Sequence, residues 1–226
     1  MPLHLHRDLD QLQKDLFLLA LDVEQYVQTA ARCLRDHDLE AARKIIADHL
    51  CVSEKQVRLK EECLKVLALH QPVAIDLRRV ITVLKINTDL ERMTSLAQGI
   101  AGRSVALAEL PPVEVPTKIP LMTNSVLQML RQSLNAFFHL DAQQARNICL
   151  LGDEINQFGQ QIIRELLPKM KVPDAMEGAL SLFSATRNLE RIADYAIGIA
   201  EDVVFMVEGT LIRHRHRDFA AALTLS

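Results

Sequence analysis

The sequence predicts an all-α protein of two tandem antiparallel three-helix bundles related by internal duplication. Three observations carry that reading. First, Leu90-Glu91-Arg92, followed by Ala97-Gln98-Gly99-Ile100-Ala101, returns at the same spacing as Leu189-Glu190-Arg191, followed by Ala196-Ile197-Gly198-Ile199-Ala200. Repetition on that scale means that a whole structural unit was duplicated. Second, Asp38–Ile45 and Asp141–Ile148 match at their Asp, second Ala, Arg and Ile positions. Third, the chain has only 7 Gly, 4% aromatic residues and no Trp; Leu, Ala, Ile and charged helix formers carry it instead.

The elements follow in order. Leu9, Leu12, Leu16, Leu19, Val23, Tyr26, Val27 and Ala30 alternate threes and fours, which predicts a first helix from Leu5 to Leu34 with one buried face. Asp36-His37-Asp38 breaks it, and Asp38 suits the cap of a second helix, Leu39 to Leu69. Pro72 fits the first turn of a third helix, where its missing N–H costs nothing, and that helix runs to Leu107. Three prolines in Leu110–Pro116 exclude helix and mark an extended linker. The pattern then restarts, with helices at Pro120 to His139, Ala142 to Leu167 and Asp174 to Glu208, Pro168 and Pro173 punctuating the last turn. The predicted organisation is a first bundle at 1–109, a linker at 110–118, a second bundle at 119–209 and a basic tail at 210–226.

Bulk properties narrow the function. A formal net charge of -3 argues against general nucleic-acid binding. No apolar run approaches the roughly 20 residues of a membrane span, and the N-terminus lacks a signal-peptide pattern, so a cytoplasmic location is expected. The four cysteines, Cys33, Cys51, Cys63 and Cys149, form no CxxC pair and are read as buried free thiols. In the tail, Arg213-His214-Arg215-His216-Arg217 reads as a solvated segment, or as a pH-sensitive basic contact for an acidic partner or lipid headgroup.

Catalytic readings lack their parts. No Glu has a His three residues on, so a ferritin-like di-iron site is excluded. No phosphate-binding glycine loop and no nucleophile elbow is present. The strongest chemical candidate is Glu190 with Asp194, four residues apart on one helix face and within reach of a shared cation. Two carboxylates so placed repel unless a metal, an arginine or a proton intervenes. Arg187 and Arg191 are the local neutralisers, and an intrahelical ion pair is the plain alternative.

Leu90-Glu91-Arg92 and Leu189-Glu190-Arg191-Ile192-Ala193-Asp194 resemble the two copies of the LERIGD motif of PhoU proteins. Gln71-Pro72 with Asp76-Leu77-Arg78 resembles that family's QP…DLR opening of the third helix. The likeness runs from about Leu5 to Gly209. It implies a cytosolic, non-enzymatic regulator of phosphate uptake and phosphate-starvation signalling. It also implies two partners: the ATPase subunit of a phosphate ABC transporter and a phosphate-sensing histidine kinase. Arg78, Arg79, Arg92 and Arg191 are the candidate contacts, each with an intramolecular salt bridge as its alternative. A homodimer is expected for long amphipathic helices.

Several family members bind iron or zinc through E/DxxxD pairs on the second and third helices of each bundle. Those positions fall here on His49 and Ser53, Glu91 and Ser95, Gly152 and Asn156, and Glu190 and Asp194. Three carboxylates remain, Glu91, Glu190 and Asp194. With His49 and Asn156 they form the residual donor set, and the second bundle, with Asp153 nearby, is the better place for iron or zinc. A storage or sensing protein built on this metal site is the alternative function.

Overall fold

The computed structural model describes residues 2–212 and places seven helices among them: α1 (Pro2–Asp36), α2 (Leu39–His70), α3 (Ala74–Leu107), α4 (Lys118–His139), α5 (Ala142–Cys149), α6 (Gly152–Lys169) and α7 (Pro173–Glu208). The first three helices make one antiparallel bundle. The other four make a second bundle on the same plan, with α5 and α6 standing where α2 stands in the first.

The same local chemistry starts both middle helices. The Asp38 carboxylate accepts from the Ala41 N–H at 3.0 Å, and the Asp141 carboxylate accepts from the Gln144 N–H at 2.9 Å. Each satisfies an orphan donor of the first helical turn. Directly before each aspartate the chain reverses through a left-handed residue, His37 at φ 54° and Leu140 at φ 56°.

Four expectations need correction. The helix expected from Ala142 to Leu167 is broken at Leu150-Leu151, where N–H groups reach back only three residues, Leu150 to Asn147 and Leu151 to Ile148. Gly152 opens the next helix, and its low helix propensity weakens continuation at that point. Pro72 lies outside α3, which begins at Ala74 after a left-handed Gln71 and an extended Val73. Pro168 stands in the last turn of α6 rather than in the turn that follows. Of the cysteines, Cys33, Cys63 and Cys149 are buried, but Cys51 is exposed. The Arg/His segment at 213–217 lies outside the described residues.

The two bundles share a seam. α3 lies antiparallel along α7, and α1 packs on α4, while α2 stays on the outside of the first bundle. Across α1 and α4, Phe17 meets Phe138 edge-on at 5.5 Å between ring centroids, and Glu24 pairs with Arg131. The buried core is continuous across the seam, from Leu16 and Val23 through Leu90 and Ile100 to Leu189 and Ile199. The segment between α3 and α4 packs rather than dangles. A Cβ at Gly178 would come within 2.6 Å of the Val113 side chain, so the glycine is what lets the linker lie against α7.

Candidate functional site

The repeated motif lies at the α3–α7 seam, and both of its glycines face the partner helix there, Gly99 tightly and Gly198 at ordinary contact distance. Gly99 faces the Asn188 amide, which would stand 3.0 Å from an added Cβ, and Gly198 faces Asp89 at 3.7 Å. Gly99 and Gly198 occupy the same place in the repeat, as do Asp89 and Asn188. The contact is therefore made twice, with the two helices exchanging roles.

Polar side chains fix the register along the seam. Arg78 Nε donates to the Met206 carbonyl at 2.8 Å, satisfying an acceptor in the last turns of α7. Lys85 pairs with the buried Asp202 and lies 5.9 Å from the centre of the Phe205 ring. Arg92 lies over the Tyr195 ring at 5.6 Å and reaches Asp89 at 3.3 Å.

The four arginine candidates separate accordingly. Arg78 is committed to the seam, and Arg79 is half-buried with its Nε enclosed and without a hydrogen-bond partner. Arg92 and Arg191 are exposed on the seam's outer face, so the structure leaves these two accessible.

The acidic candidates divide between the bundles. On α7, Glu190 is buried and pairs with Arg187, while Asp194 one turn on is exposed. A mid-helix glycine opens the notch that takes Glu190: a Cβ on Gly159 of α6 would lie 1.9 Å from Glu190 Oε1. Burial pushes the Glu190 carboxyl above its ordinary range, opposed by Arg187 and assisted by Asp194. Asp194 is also pushed up by desolvation, against Arg187 and Arg191.

The first bundle is built differently. Counting from the two capping aspartates, Gln56 stands where Gly159 stands in the second half. Gln56 is buried, its side-chain amide reaching Thr94 Oγ1 at 3.4 Å and its backbone carbonyl accepting from Asn87 at 2.9 Å. That site has no notch, and Glu91 is exposed, with the Ser95 hydroxyl donating to Glu91's own carbonyl. His49 is half-buried on α2, and Asn156 is exposed on α6.

The donors fit a polynuclear metal site poorly. Among the described residues, no group of three or more His, Cys, Asp or Glu side chains converges. Only Glu190 and Asp194 lie side by side, and an arginine already occupies Glu190. Gly152 supplies no ligand and instead gives α6 its close approach to Ile197, 3.0 Å from an added Cβ. A cluster with bridging oxygens needs several anionic donors aimed at one point.

Sequence reasoning missed Gly159, Asp202 and Tyr195. The mid-helix glycine was the one legible signal among them, since such a residue usually marks a close approach.

Fold and seam together define a class: an all-α protein of two duplicated bundles joined along their third helices. Comparison with known proteins places it within that class. The PhoU domain model matches twice, at residues 16–104 and 119–203, so the chain belongs to the PhoU family. It is 30% identical over 213 residues to the phosphate-specific transport system accessory protein PhoU homolog of Aquifex aeolicus, covering 94% of this chain and 96% of that one. The Pseudomonas aeruginosa homolog is 31% identical, with 92% and 86% covered. The crystal structure of PhoU from Pseudomonas aeruginosa superposes with a TM-score of 0.85 at 30% identity, over 91% of this chain and 99% of that one. The phosphate transport system regulatory protein PhoU from Streptococcus pneumoniae gives 0.85 at 28% identity, over 92% and 98%.

Proposed function

We propose that this chain is the accessory protein of a phosphate-specific transport system, a non-enzymatic regulator of phosphate uptake and of phosphate-starvation signalling. The observation that carries the reading is a match running through both bundles to relatives that bear that name. It acts by binding, from the cytoplasmic side, to the ATPase subunit of a phosphate ABC transporter and to the phosphate-sensing histidine kinase. The exposed Arg92 and Arg191 on the outer face of the seam are its contact residues. Arginine suits this task because its planar fork pairs carboxylates in two-pronged geometry and stacks on aromatic rings. No helix among the described residues is long and apolar enough to cross a membrane, which is consistent with the proposed peripheral attachment to the transporter.

The test uses a strain deleted for the chain and carrying a phosphate-starvation reporter. At high phosphate the deletion strain is expected to keep the reporter on, and the intact chain to silence it and to co-purify with the transporter ATPase. Arg92→Glu with Arg191→Glu is expected to lose both effects while keeping its helical circular dichroism. A complemented strain in which the reporter stays on, with no ATPase recovered, would overturn the reading.

A further inference from the structure

The repeat relates the two halves of the α3–α7 seam by an approximate two-fold axis. Gly99 faces Asn188 and Gly198 faces Asp89, so the axis passes midway between those contacts, beside Thr94 of α3 and Ala193 of α7. Arg92 and Arg191 each lie two residues before that point on their own helix. With roughly 1.5 Å of rise per residue and an interaxial distance of about 8–10 Å, their Cα atoms stand about 10 Å apart, one on either side of the axis. Exposure repeats position by position across 88–99 and 187–198, except that Asp89 and Glu190 are buried and their counterparts Asn188 and Glu91 are not. Arg92 and Ser95 in one half thus answer Arg191 and Asp194 in the other, all four exposed. The outer face has kept the two-fold. The deeper pair Lys85–Asp202 has not, its counterparts being Ser184 and Arg103.

We propose that this face binds two identical subunits at once, each presenting the same carboxylate-bearing surface to one arginine, about a two-fold axis shared with the seam. The inference rests on the reading of the chain as a binder of the transporter ATPase, and it commits the occupant to a two-fold pair of that subunit. A single subunit would face two copies of one contact and use only one of them. A two-fold pair uses both, and the second contact then forms inside a complex already made. Two-fold pairing is also the commonest symmetry among oligomers. Arginine fits the task because its planar fork takes a carboxylate through two parallel N–H bonds. The two arginines are held differently. Arg92 is braced by Asp89 at 3.3 Å and by the Tyr195 ring at 5.6 Å. Arg191 has Asn188 and Leu96 at the equivalent places and acts on Asp194, while Arg187 beside it is taken by Glu190. The face is therefore two-fold in where its arginines stand and unequal in what steadies them.

Native mass spectrometry of the intact chain with the purified transporter ATPase subunit reads the ratio directly, and two ATPase subunits per chain are expected. Arg92→Glu and Arg191→Glu, each checked for folding by circular dichroism, are expected to weaken binding about tenfold apiece, with losses that agree within about threefold. The two together are expected to weaken it about a hundredfold, because contacts on different subunits add. In a Cys51→Ser background, a benzophenone carried on Ser95→Cys and one carried on Asp194→Cys are expected to cross-link to the same ATPase peptide. One ATPase subunit per chain would overturn the two-fold pairing and leave the ATPase reading standing. So would cross-links from the two positions to different peptides, or a loss carried by one arginine alone. A chain that does not bind the ATPase at all would bring down the reading and the pairing together.

Discussion

Glu190 and Asp194 show how one neighbour decides what a carboxylate does. The repeat gives Glu91 and Glu190 the same place, but Gln56 fills the space beside the first and Gly159 empties the space beside the second. Glu91 therefore stays in water, and Glu190 sinks against α6. A carboxyl whose pKa is raised on folding holds its proton to higher pH in the folded state than in the unfolded one. Between the unfolded and folded values the folded state binds more protons, so stability falls as pH rises through that window. Glu190→Gln keeps the shape and removes the titration. It is expected to gain stability relative to the unaltered chain as pH climbs from below the usual carboxylate range toward neutrality, measured by urea unfolding at several pH values. An unchanged difference between the two proteins across that range would count against the buried Glu190. Gly159→Ala tests the cause from the other side. Its methyl group cannot coexist with the carboxylate in the notch, so Glu190 must swing out to water. The same pH-dependent penalty is expected to vanish, although no charge has been altered.

At the scale of the element, the helices were largely written in the sequence, because periodicity and capping are local. The threes and fours of α1, the capping Asp38 and the prolines after α3 each act within a few residues, and each is found where the pattern put it. The break between α5 and α6 was hidden for the opposite reason. The apolar period continues through Ile148, Leu151 and Ile155, so only Gly152 signals a weak point. The same glycine sits against Ile197 of α7, and the two effects oppose each other on substitution. Gly152→Ala offers up to about 1 kcal/mol of helix propensity. The atom it meets is the mobile end of a half-buried isoleucine, which can turn aside by a few tenths of an ångström. A net gain of roughly 0.5 kcal/mol in urea unfolding is therefore expected. A loss of stability would mean that the approach of α6 to α7 is tighter than its helix propensity is weak.

Across the whole molecule, duplication explains the two bundles but not what registers them. Repeated Gly99 and Gly198 make a seam contact that obeys the repeat. Lys85 with Asp202 breaks it, since the equivalent places hold Ser184 and Arg103. This pair could not be read from the chain, because it requires knowing which residues of α3 and α7 lie side by side. The seam site was legible only as the motif itself, and its partners came from the packing. Asp202 is 3% exposed, with one carboxylate oxygen lacking a hydrogen bond, so Lys85 is the main neutraliser of a charge taken out of water. Removing one partner of such a pair strands the other, at about 3–5 kcal/mol, whereas replacing both with apolar residues of similar volume is often neutral or stabilising. Lys85→Met alone is expected to lower the unfolding free energy by about 3 kcal/mol, and Lys85→Met with Asp202→Leu to recover most of that loss. If the pair only stabilises, the double variant should co-purify with the proposed transporter ATPase as the unaltered chain does. If the pair fixes how the two bundles sit, the recovered stability should come with weakened binding at the proposed Arg92 and Arg191 face. The cost of the single change and the behaviour of the double one together separate a buried ion pair that holds the seam from one that aligns it.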